Sequence, residues 1–529
     1  MTQTSDSAKE KRDMLAISPY NELALPKLPE GRGKIEIFDT TLRDGEQAPG
    51  IALSSDDKVR IAYALDDLGV DYIEAGFAVS SSIESETIRQ LGESGLHATV
   101  LSLARSVNKD IDAVADTGVK YVHTFIGTSP LHREYKLKMS KEQIIEKAVS
   151  TVEYARDRGL EVQFSCEDAT RTELDYLLEV YKAVVDAGAC AINVPDTVGV
   201  TVPQGMSYLI GKIAEQIHVP ISVHCHNDMG LAVANTLAAV ESGATICQAT
   251  VCGIGERTGN AALEEVAINL FANYGVETVD LSKIGPTAAL VQRLTGFPLG
   301  YNKPVTGRNA FAHESGIHVH GVMNNSATYE PFLPELVGAQ RHIIIGKHSG
   351  AHSVAGRLSD LGVKFPAERM DELMEEIKSV AIGDKEIDDA ELMALADHVL
   401  YKSAISEPAV IMDGVAVMSG KNVTSTATVN LTLKGERRTV AEVGVGPVDA
   451  SLKAIAEAVN PGISLEEYKL GAINGNSDSL CEVTVMVKNV QGDGFQSSGR
   501  AVGLDVVMTS INAMIAAINR DFARNNKKE

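Results

Sequence analysis

From Ile35 onward the chain alternates short apolar, β-branched runs with longer segments of helical period. The predicted strands are IEIFDT (35–40), YIEAGF (72–77), ATVLSLAR (98–105), YVHTFIG (121–127), EVQFSCE (161–167), AINVPDT (191–197), ISVHCHN (221–227) and ICQATV (246–251). Between them lie segments such as SSDDKVRIAYALDDLG (54–69) and SKEQIIEKAVSTVEYARDRG (140–159). Each opens on a serine able to cap free backbone N–H groups, carries acids in its first turn and stops at glycine, as helices do.

Eight strands alternating with helices predict an α/β fold, a (β/α)8 TIM barrel over 35–275. The competitor is an open doubly wound sheet, which expects a glycine fingerprint after its first strand, and none is present. The strand bodies are apolar while their C-terminal ends are reactive: Asp39, Arg43 and Asp44; Glu74; Arg105; His123; Glu167; Asp196 and Thr197; His224 and His226. Barrel enzymes assemble their sites from these ends, so groups distant in sequence are expected to converge on one mouth.

Outside the barrel the texture changes. Residues 1–34 are polar, then punctuated by Pro and Gly, and read as an N-terminal arm. Residues 276–403 read as a helical subdomain or linker that completes the site, with a His-rich piece, NAFAHESGIHVHGVMNNSATYEP (309–331). Residues 404–529 read as a C-terminal α+β domain, with half-exposed strands VTSTATVNLTLKG (423–435), RRTVAEVGVG (437–446) and SLCEVTVMVKNV (479–490). Helical stretches DASLKAIAEAV (449–459) and VGLDVVMTSINAMIAAINRDF (502–522) interleave with them, a faint two-fold echo of strands followed by helix.

Charge narrows the class. With 48 basic and 71 acidic side chains in 529 residues, the formal net charge is -23. So acidic a surface repels phosphate backbones and anionic lipid, so neither nucleic acid nor membrane is expected as a partner. The N-terminus lacks the apolar core of a secretory signal, and no run long enough to span a bilayer occurs. Six cysteines without a C-x-x-C pair read as reduced thiols, so a cytoplasmic location is expected.

The sharpest chemical signal is His224-Cys225-His226. Residues i and i+2 of a strand share a face, so both imidazoles can reach one ion while Cys225 points into the core. The alternative is two polar side chains at a solvated strand end. Asp44 after the first strand and Asn260 after the eighth add oxygen donors, because those strands are neighbours in a closed barrel. Mixed nitrogen and oxygen donors suit Zn, Mn or another divalent ion acting as a Lewis acid. Arg43 could bind a carboxylate or oxyanion, or form a salt bridge with Asp39 or Glu46. Glu167 reads as an acid/base or as a partner of Arg171, and Thr197 as a hydroxyl donor to a carboxylate or a turn cap. Strand alternation in GIHVHG would put His318 and His320 on one face, with proton transfer by one of them favoured over a second metal site. His313, His348 and His352 read as structural or surface residues. The basic run HREYKLKM (132–139) is either a solvated face or the path of an anionic cofactor.

Four segments, FDTTLRDGEQAPG (38–50), SVHCHNDMGLAVANTLAAVESGA (222–244), GIGERTGNAALEEV (253–266) and NAFAHESGIHVHG (309–321), closely resemble the 2-isopropylmalate, citramalate and homocitrate synthase group. The resemblance implies a metal-dependent Claisen condensation of acetyl-CoA with a small 2-oxo acid in a homodimeric enzyme. It implies metal ligation by Asp44, His224, His226 and Asn260, with Mn, Zn or Mg as the ion. Arg43 would stabilise the oxygen charge, Thr197 would hold the substrate carboxylate, and Glu167, His318 and Tyr329 would form the acid/base set. Which of Glu167 and His318 takes the first proton stays open. His320 stands where many members carry Asp.

Within the group, GERTGNAAL lacks the cysteine of the lyase relatives, and Leu103 stands where homocitrate synthases resemble one another in placing a His. Phe77 and FIGTSP (125–130) resemble the isopropylmalate branch, which takes 2-oxoisovalerate, more than the citramalate branch, which takes pyruvate. The C-terminal domain resembles the leucine- or isoleucine-binding regulatory domain, implying leucine as effector. A non-enzymatic amino-acid sensor on a degenerate barrel would have broken ligand positions, and all four are intact.

Overall fold

The computed structural model describes residues 11–28, 33–346, 349–380, 387, 389–401, 408–472, 481–489 and 496–525. The first ten residues of the arm and His348 lie outside the described residues. The chain forms two compact units, Met1–Phe311 with Glu330–Arg341, and Ala312–Tyr329 with His342–Glu529.

The first unit is a closed parallel barrel of β1 (Glu36–Asp39), β2 (Tyr72–Glu74), β3 (Thr99–Arg105), β4 (Tyr121–Gly127), β5 (Glu161–Glu167), β6 (Ala191–Asp196), β7 (Ile221–Cys225) and β8 (Ile246–Ala249). All eight fall inside the predicted runs, and β8 closes onto β1 in register from Glu36↔Ile246 to Asp39↔Ala249. The pleat sorts the side chains. Along β5, Val162, Phe164 and Cys166 face the helical shell and are fully buried, whereas Gln163, Ser165 and Glu167 face the barrel axis. Burying one such apolar side chain is worth about 1.5–3 kcal/mol. Phe38, Leu101, Tyr121, Ala191 and Ile246 plug the axis as a separate apolar cluster.

Helix boundaries follow the sequence signals. The helix Ser55–Leu68 begins with a capping box: Ser54 Oγ accepts from Asp57 N at 3.2 Å, and the Asp57 carboxylate accepts from Ser54 N at 3.3 Å. It ends at Gly69, whose φ of 94° is open to glycine at little cost. The helix Lys141–Asp157 starts on the same device, Ser140 with Gln143. Of the arm, residues 19–24 form a short helix, and Asn21 donates to Asn273 at 2.8 Å.

In the second unit, Ala312–His313 (β9) pairs with His342–Ile343 (β10). Three strands, β11 (Val410–Gly420), β12 (Val423–Leu433) and β13 (Glu436–Gly444), are followed by the helix Pro447–Val459. Three more, β14 (Ile463–Ala472), β15 (Cys481–Asn489) and β16 (Gln496–Gly503), are followed by the helix Val506–Asn525. The two-fold echo is therefore real. Sequence patterning finds β12, β13 and β15 but not β11, β14 or β16. The alternation of β11 is broken by a register shift between Met412 and Gly414, and that of β14 by one between Leu465 and Glu467, while β16 is mostly small and polar.

GIHVHG differs from the expected strand. It lies within the helix Gly316–Asn324, where residues two apart point to different sides. His318 stacks on Tyr329 with ring centroids 4.2 Å apart, whereas His320 faces Asn324 and lies 6.5 Å from His352. All six cysteines are free, with Cys225 buried as expected. Among the described residues no helix is long and apolar enough to cross a membrane.

Candidate active site

Three strand ends bring the proposed ligands together. β1 runs into a π-helical turn, Thr41–Gly45, wound around the Thr40 carbonyl, which accepts from Arg43 N, Asp44 N and Gly45 N at 2.9–3.2 Å. Such turns recur at functional sites. Gly45 packs closely, since a Cβ there would lie 3.0 Å from Ile254 Cγ1 and that side chain would have to shift. Beyond β7, His226 forms a backbone bridge with Asn260, supported by Ala261 N donating to Cys225 O at 3.0 Å and Asn227 N to Gly259 O at 2.9 Å. The fold back from β8 depends on Gly259 (φ 87°), where a Cβ would lie 1.9 Å from Gly253 O.

Asp44, His224 and His226 offer ligand atoms within 4.8 Å of one another, all buried. His224 Nε2 and His226 Nε2 are 3.2 Å apart, and Asp44 Oδ2 is 3.3 Å from the first and 3.8 Å from the second. Two imidazole nitrogens and a carboxylate oxygen facing one point are the donor set of a divalent cation. Asp44 Oδ2 and Asn260 Oδ1 are buried without a hydrogen-bond partner, an arrangement that costs stability unless something fills the role. Burial alone would raise the Asp44 carboxyl, but Arg43 and the two imidazoles outweigh it and hold it well below the usual range. Burial, with His224 next, pushes His226 down to about 4, so near neutrality it is the uncharged imidazole that a metal needs. The residues fit a bound divalent ion.

Arg43 is held by a group that sequence reading named but gave no role. Its Nε donates to Glu74 Oε2 at 2.6 Å and its Nη1 lies 3.2 Å from Asp44, so the partner is neither Asp39 nor Glu46. Asp39 accepts from Thr41, and Glu46 pairs with Lys58. Glu74 also accepts from Thr40 Oγ1 at 2.5 Å and bonds His123 Nδ1 at 2.7 Å. Burial raises Glu74, but Arg43 and His123 bring it down to about 2. His123 is lowered by burial in spite of Glu74, so Nδ1–H donates to the carboxylate and Nε2 accepts from Ser165 Oγ at 2.6 Å. Asn193 Nδ2 in turn donates to that Oγ at 2.7 Å. A polar relay thus runs along the cavity wall from Arg43 to Asn193.

Glu167, at the end of β5, pairs with Lys136 and His132 from the basic run rather than with Arg171, which bonds Asp168 at 2.8 Å. Thr197 Oγ1 accepts from Asp168 N at 2.9 Å, leaving its hydroxyl proton to donate. Asp196 holds its own turn, accepting from Val200 N and Thr201 N. These groups line one cavity of about 300 Å³ that contains Arg43, Asp44, His123, Glu167, Thr197 and both metal-site histidines. Its apolar wall is Phe77, Leu103, Phe125 and Pro195. His318 and Tyr329 belong to the second unit, where they stack on each other. Sequence reasoning missed His132 and Lys136 as partners of Glu167. The basic run against an acidic background was the available signal.

Residues 34–291 match the HMGL-like family, 305–385 the homocitrate synthase post-HMGL domain-like family, and 386–522 the LeuA allosteric (dimerisation) domain. The chain is 49% identical to 2-isopropylmalate synthase of Methanocaldococcus jannaschii over 93% of this chain and 96% of that one. It is 48% identical to the probable 2-isopropylmalate synthase of Methanopyrus kandleri, over 92% and 98%. It is 43% identical to (R)-citramalate synthase CimA of Methanocaldococcus jannaschii, over 92% and 99%. Hydroxymethylglutaryl-CoA lyase from Pseudomonas aeruginosa is similar in structure, with a TM-score of 0.46 and 24% identity, over 52% of this chain and 95% of that one. With such identity running the length of both chains, the chain belongs to the 2-isopropylmalate synthase and citramalate synthase family of acyltransferases.

Proposed function

We propose that the chain is a 2-isopropylmalate synthase, condensing acetyl-CoA with 2-oxoisovalerate and hydrolysing the thioester to give 2-isopropylmalate and CoA. The observation that carries this reading is the pairing of the Asp44–His224–His226 cluster with the apolar wall of Phe77, Leu103, Phe125 and Pro195 in one cavity. Such a wall suits an isopropyl group, and Arg105, the cation over its Phe77 ring, is already paired with Asp110 at 2.7 Å. The relatives point to the same substrate.

Asp44, His224, His226 and Asn260 would hold the divalent ion, Mn, Zn or Mg. Bound there, it supplies Lewis acidity toward the carbonyl and carboxylate oxygens of a 2-oxo acid. The Thr197 hydroxyl donates to the substrate carboxylate. Glu167 and His318, with Tyr329, supply the acid/base set that removes a proton from the acetyl methyl group and protonates the product. The resulting carbon attacks the 2-oxo carbonyl, and Arg43, braced by Glu74, stabilises the charge that develops on oxygen. Water then cleaves the thioester, releasing CoA.

In this reading the enzyme takes the first committed step of leucine biosynthesis in the cytoplasm, as a homodimer joined through its C-terminal domain. Leucine feedback is supported by the allosteric-domain match and by a cavity of about 520 Å³ lined by Leu452, Ile463, Leu465 and Tyr468, whose lining also holds an Asp449–Lys453 ion pair at 2.9 Å. The test is CoA-thiol release from acetyl-CoA with 2-oxoisovalerate, pyruvate and 2-oxoglutarate, with and without leucine. Fastest turnover of 2-oxoisovalerate is expected. Faster turnover of pyruvate makes the chain a citramalate synthase, and no release with any acid alongside leucine binding makes it a sensor.

A further inference from the structure

Lys58 is a lysine buried to 2% exposure that the chemistry above leaves unused. It sits in the first turn of the helix Ser55–Leu68, where a cation opposes the helix dipole, so its own helix gives it no reason to be there. Its ammonium reaches out to the turn after β1 and to the first turn of the helix Ser82–Glu93. Nζ donates to the Leu42 carbonyl at 3.2 Å and to Glu84 Oε1 at 2.6 Å, and it pairs with Glu46 Oε2 at 2.6 Å. Leu42 immediately precedes Arg43 and Asp44 in the turn after β1. Glu84 in turn accepts from Phe77 N at 3.3 Å, fixing the backbone of the cavity's apolar wall.

The fit around the ammonium is close. Gly76 (φ 150°) has no room for a side chain, because a Cβ would meet Glu84 Oε1 at 1.8 Å and Lys58 Nζ at 3.3 Å. Glu46 also accepts from Leu53 N at 3.3 Å, so the whole segment from the β1 turn to the helix start is tied to the same cation.

We propose that Lys58 is a positioning residue: by bonding the Leu42 carbonyl and Glu84 together, it sets the turn bearing Arg43 and Asp44 against the loop bearing Phe77, and so holds the metal ligand and the substrate's apolar wall in register. All three donor positions of its ammonium are used, and each leads to a segment that lines the cavity or adjoins one that does. Outer groups that orient a metal ligand typically change metal affinity or activity about 10–100-fold when removed. The catalytic half of this inference rests on the functional reading above, while its metal-binding half rests on the geometry alone.

The decisive protein is the triple variant Glu46→Gln, Lys58→Met, Glu84→Gln, which removes the cation without stranding two half-buried carboxylates. Lys58→Met alone is the second variant, measured well below its melting temperature, and Arg60→Met on the exposed side of the same helix is the control. Each is titrated with Mn²⁺ as metal-free full-length protein by calorimetry, and KM for 2-oxoisovalerate and kcat are measured after loading. Mn²⁺ affinity is expected to fall about tenfold or more in both Lys58 variants, with KM rising and the control unchanged. Parental Mn²⁺ affinity and KM in either folded variant overturn the proposal. Should the parent turn over no 2-oxo acid, the functional reading fails while the Mn²⁺ titration still judges Lys58.

Discussion

Lys136 reaches both carboxylate oxygens of Glu167, at 2.7 and 2.8 Å, from the turn that follows the neighbouring strand β4. Burial would raise the Glu167 carboxyl, but His132 and Lys136 outweigh it and hold it below the usual carboxylate range. Near neutrality Glu167 is therefore charged, the form required of a base. Asp168 and Arg171, the other charged groups at this strand end, pair with each other.

Replacing Lys136 with Met removes the ammonium beside Glu167 and leaves burial to act more strongly. Activity that needs the carboxylate is lost as pH falls through its folded pKa, so the acid limb of the kcat/KM profile moves to higher pH. His132→Asn shifts the limb the same way, and Glu167→Gln abolishes it along with most turnover. An acid limb that stays put in both variants would remove Glu167 as the group that titrates.

His224→Ala takes away one of two nitrogens aimed at the same point, 3.2 Å apart. Bound metal, measured by elemental analysis after purification, is expected to fall well below one equivalent. Turnover should drop by more than the roughly 10–100-fold seen for groups that only support a ligand. Asn260→Ala, which deletes the unpartnered Oδ1, should weaken metal retention in the same direction. A His224→Ala protein with full metal content and normal rate eliminates that residue from the site.

How much of this could be read in advance depended on the range of the interaction. The barrel strands are sheathed by helices outside and plugged within, so they appear as compact apolar runs whose ends carry the chemistry; β4 and β5 match the predicted runs residue for residue. Asp44, His224, His226 and Asn260 could be combined because ring closure makes β1 and β8 neighbours. The contacts Arg43–Glu74, Lys136–Glu167 and Lys58–Glu84 join separate strand and helix ends through side-chain reach, which no local period encodes. GIHVHG misled because six residues fit a period of 2 and a period of 3.6 about equally well.

Glu74 offers a test of the polar relay. Its carboxylate is fully buried and accepts from Arg43, Thr40 and His123. Glu74→Ala leaves a buried guanidinium with only Asp44 beside it, and breaking a buried pair in this way costs about 3–5 kcal/mol. The loss should be visible as a lower midpoint for the barrel unit in hydrogen exchange against denaturant. Glu74→Gln, which retains acceptors for Thr40 and Arg43, should lose less. Equal stability of Glu74→Ala and the parent would show that Arg43 finds its support elsewhere.

Leu103 decides the substrate test, because it lies on the cavity wall with 9% of its surface exposed, beside Phe77, Phe125 and Pro195. Each methylene-sized change in such a pocket is worth about 1–3 kcal/mol of discrimination. Leu103→Ala removes packing against an isopropyl tail but not against the methyl of pyruvate. The ratio of kcat/KM for 2-oxoisovalerate over pyruvate should then fall by about tenfold or more, while 2-oxo acids one carbon longer gain. Leu103→His should instead open a weak activity with 2-oxoglutarate, because an imidazole can receive a second carboxylate that leucine leaves unpaired. The expected shifts lie in relative kcat/KM, so a general loss of stability, which lowers all substrates together, is separable from them. An unchanged ratio in Leu103→Ala would mean the isopropyl group is held elsewhere, and Phe125 would be the next wall residue to truncate.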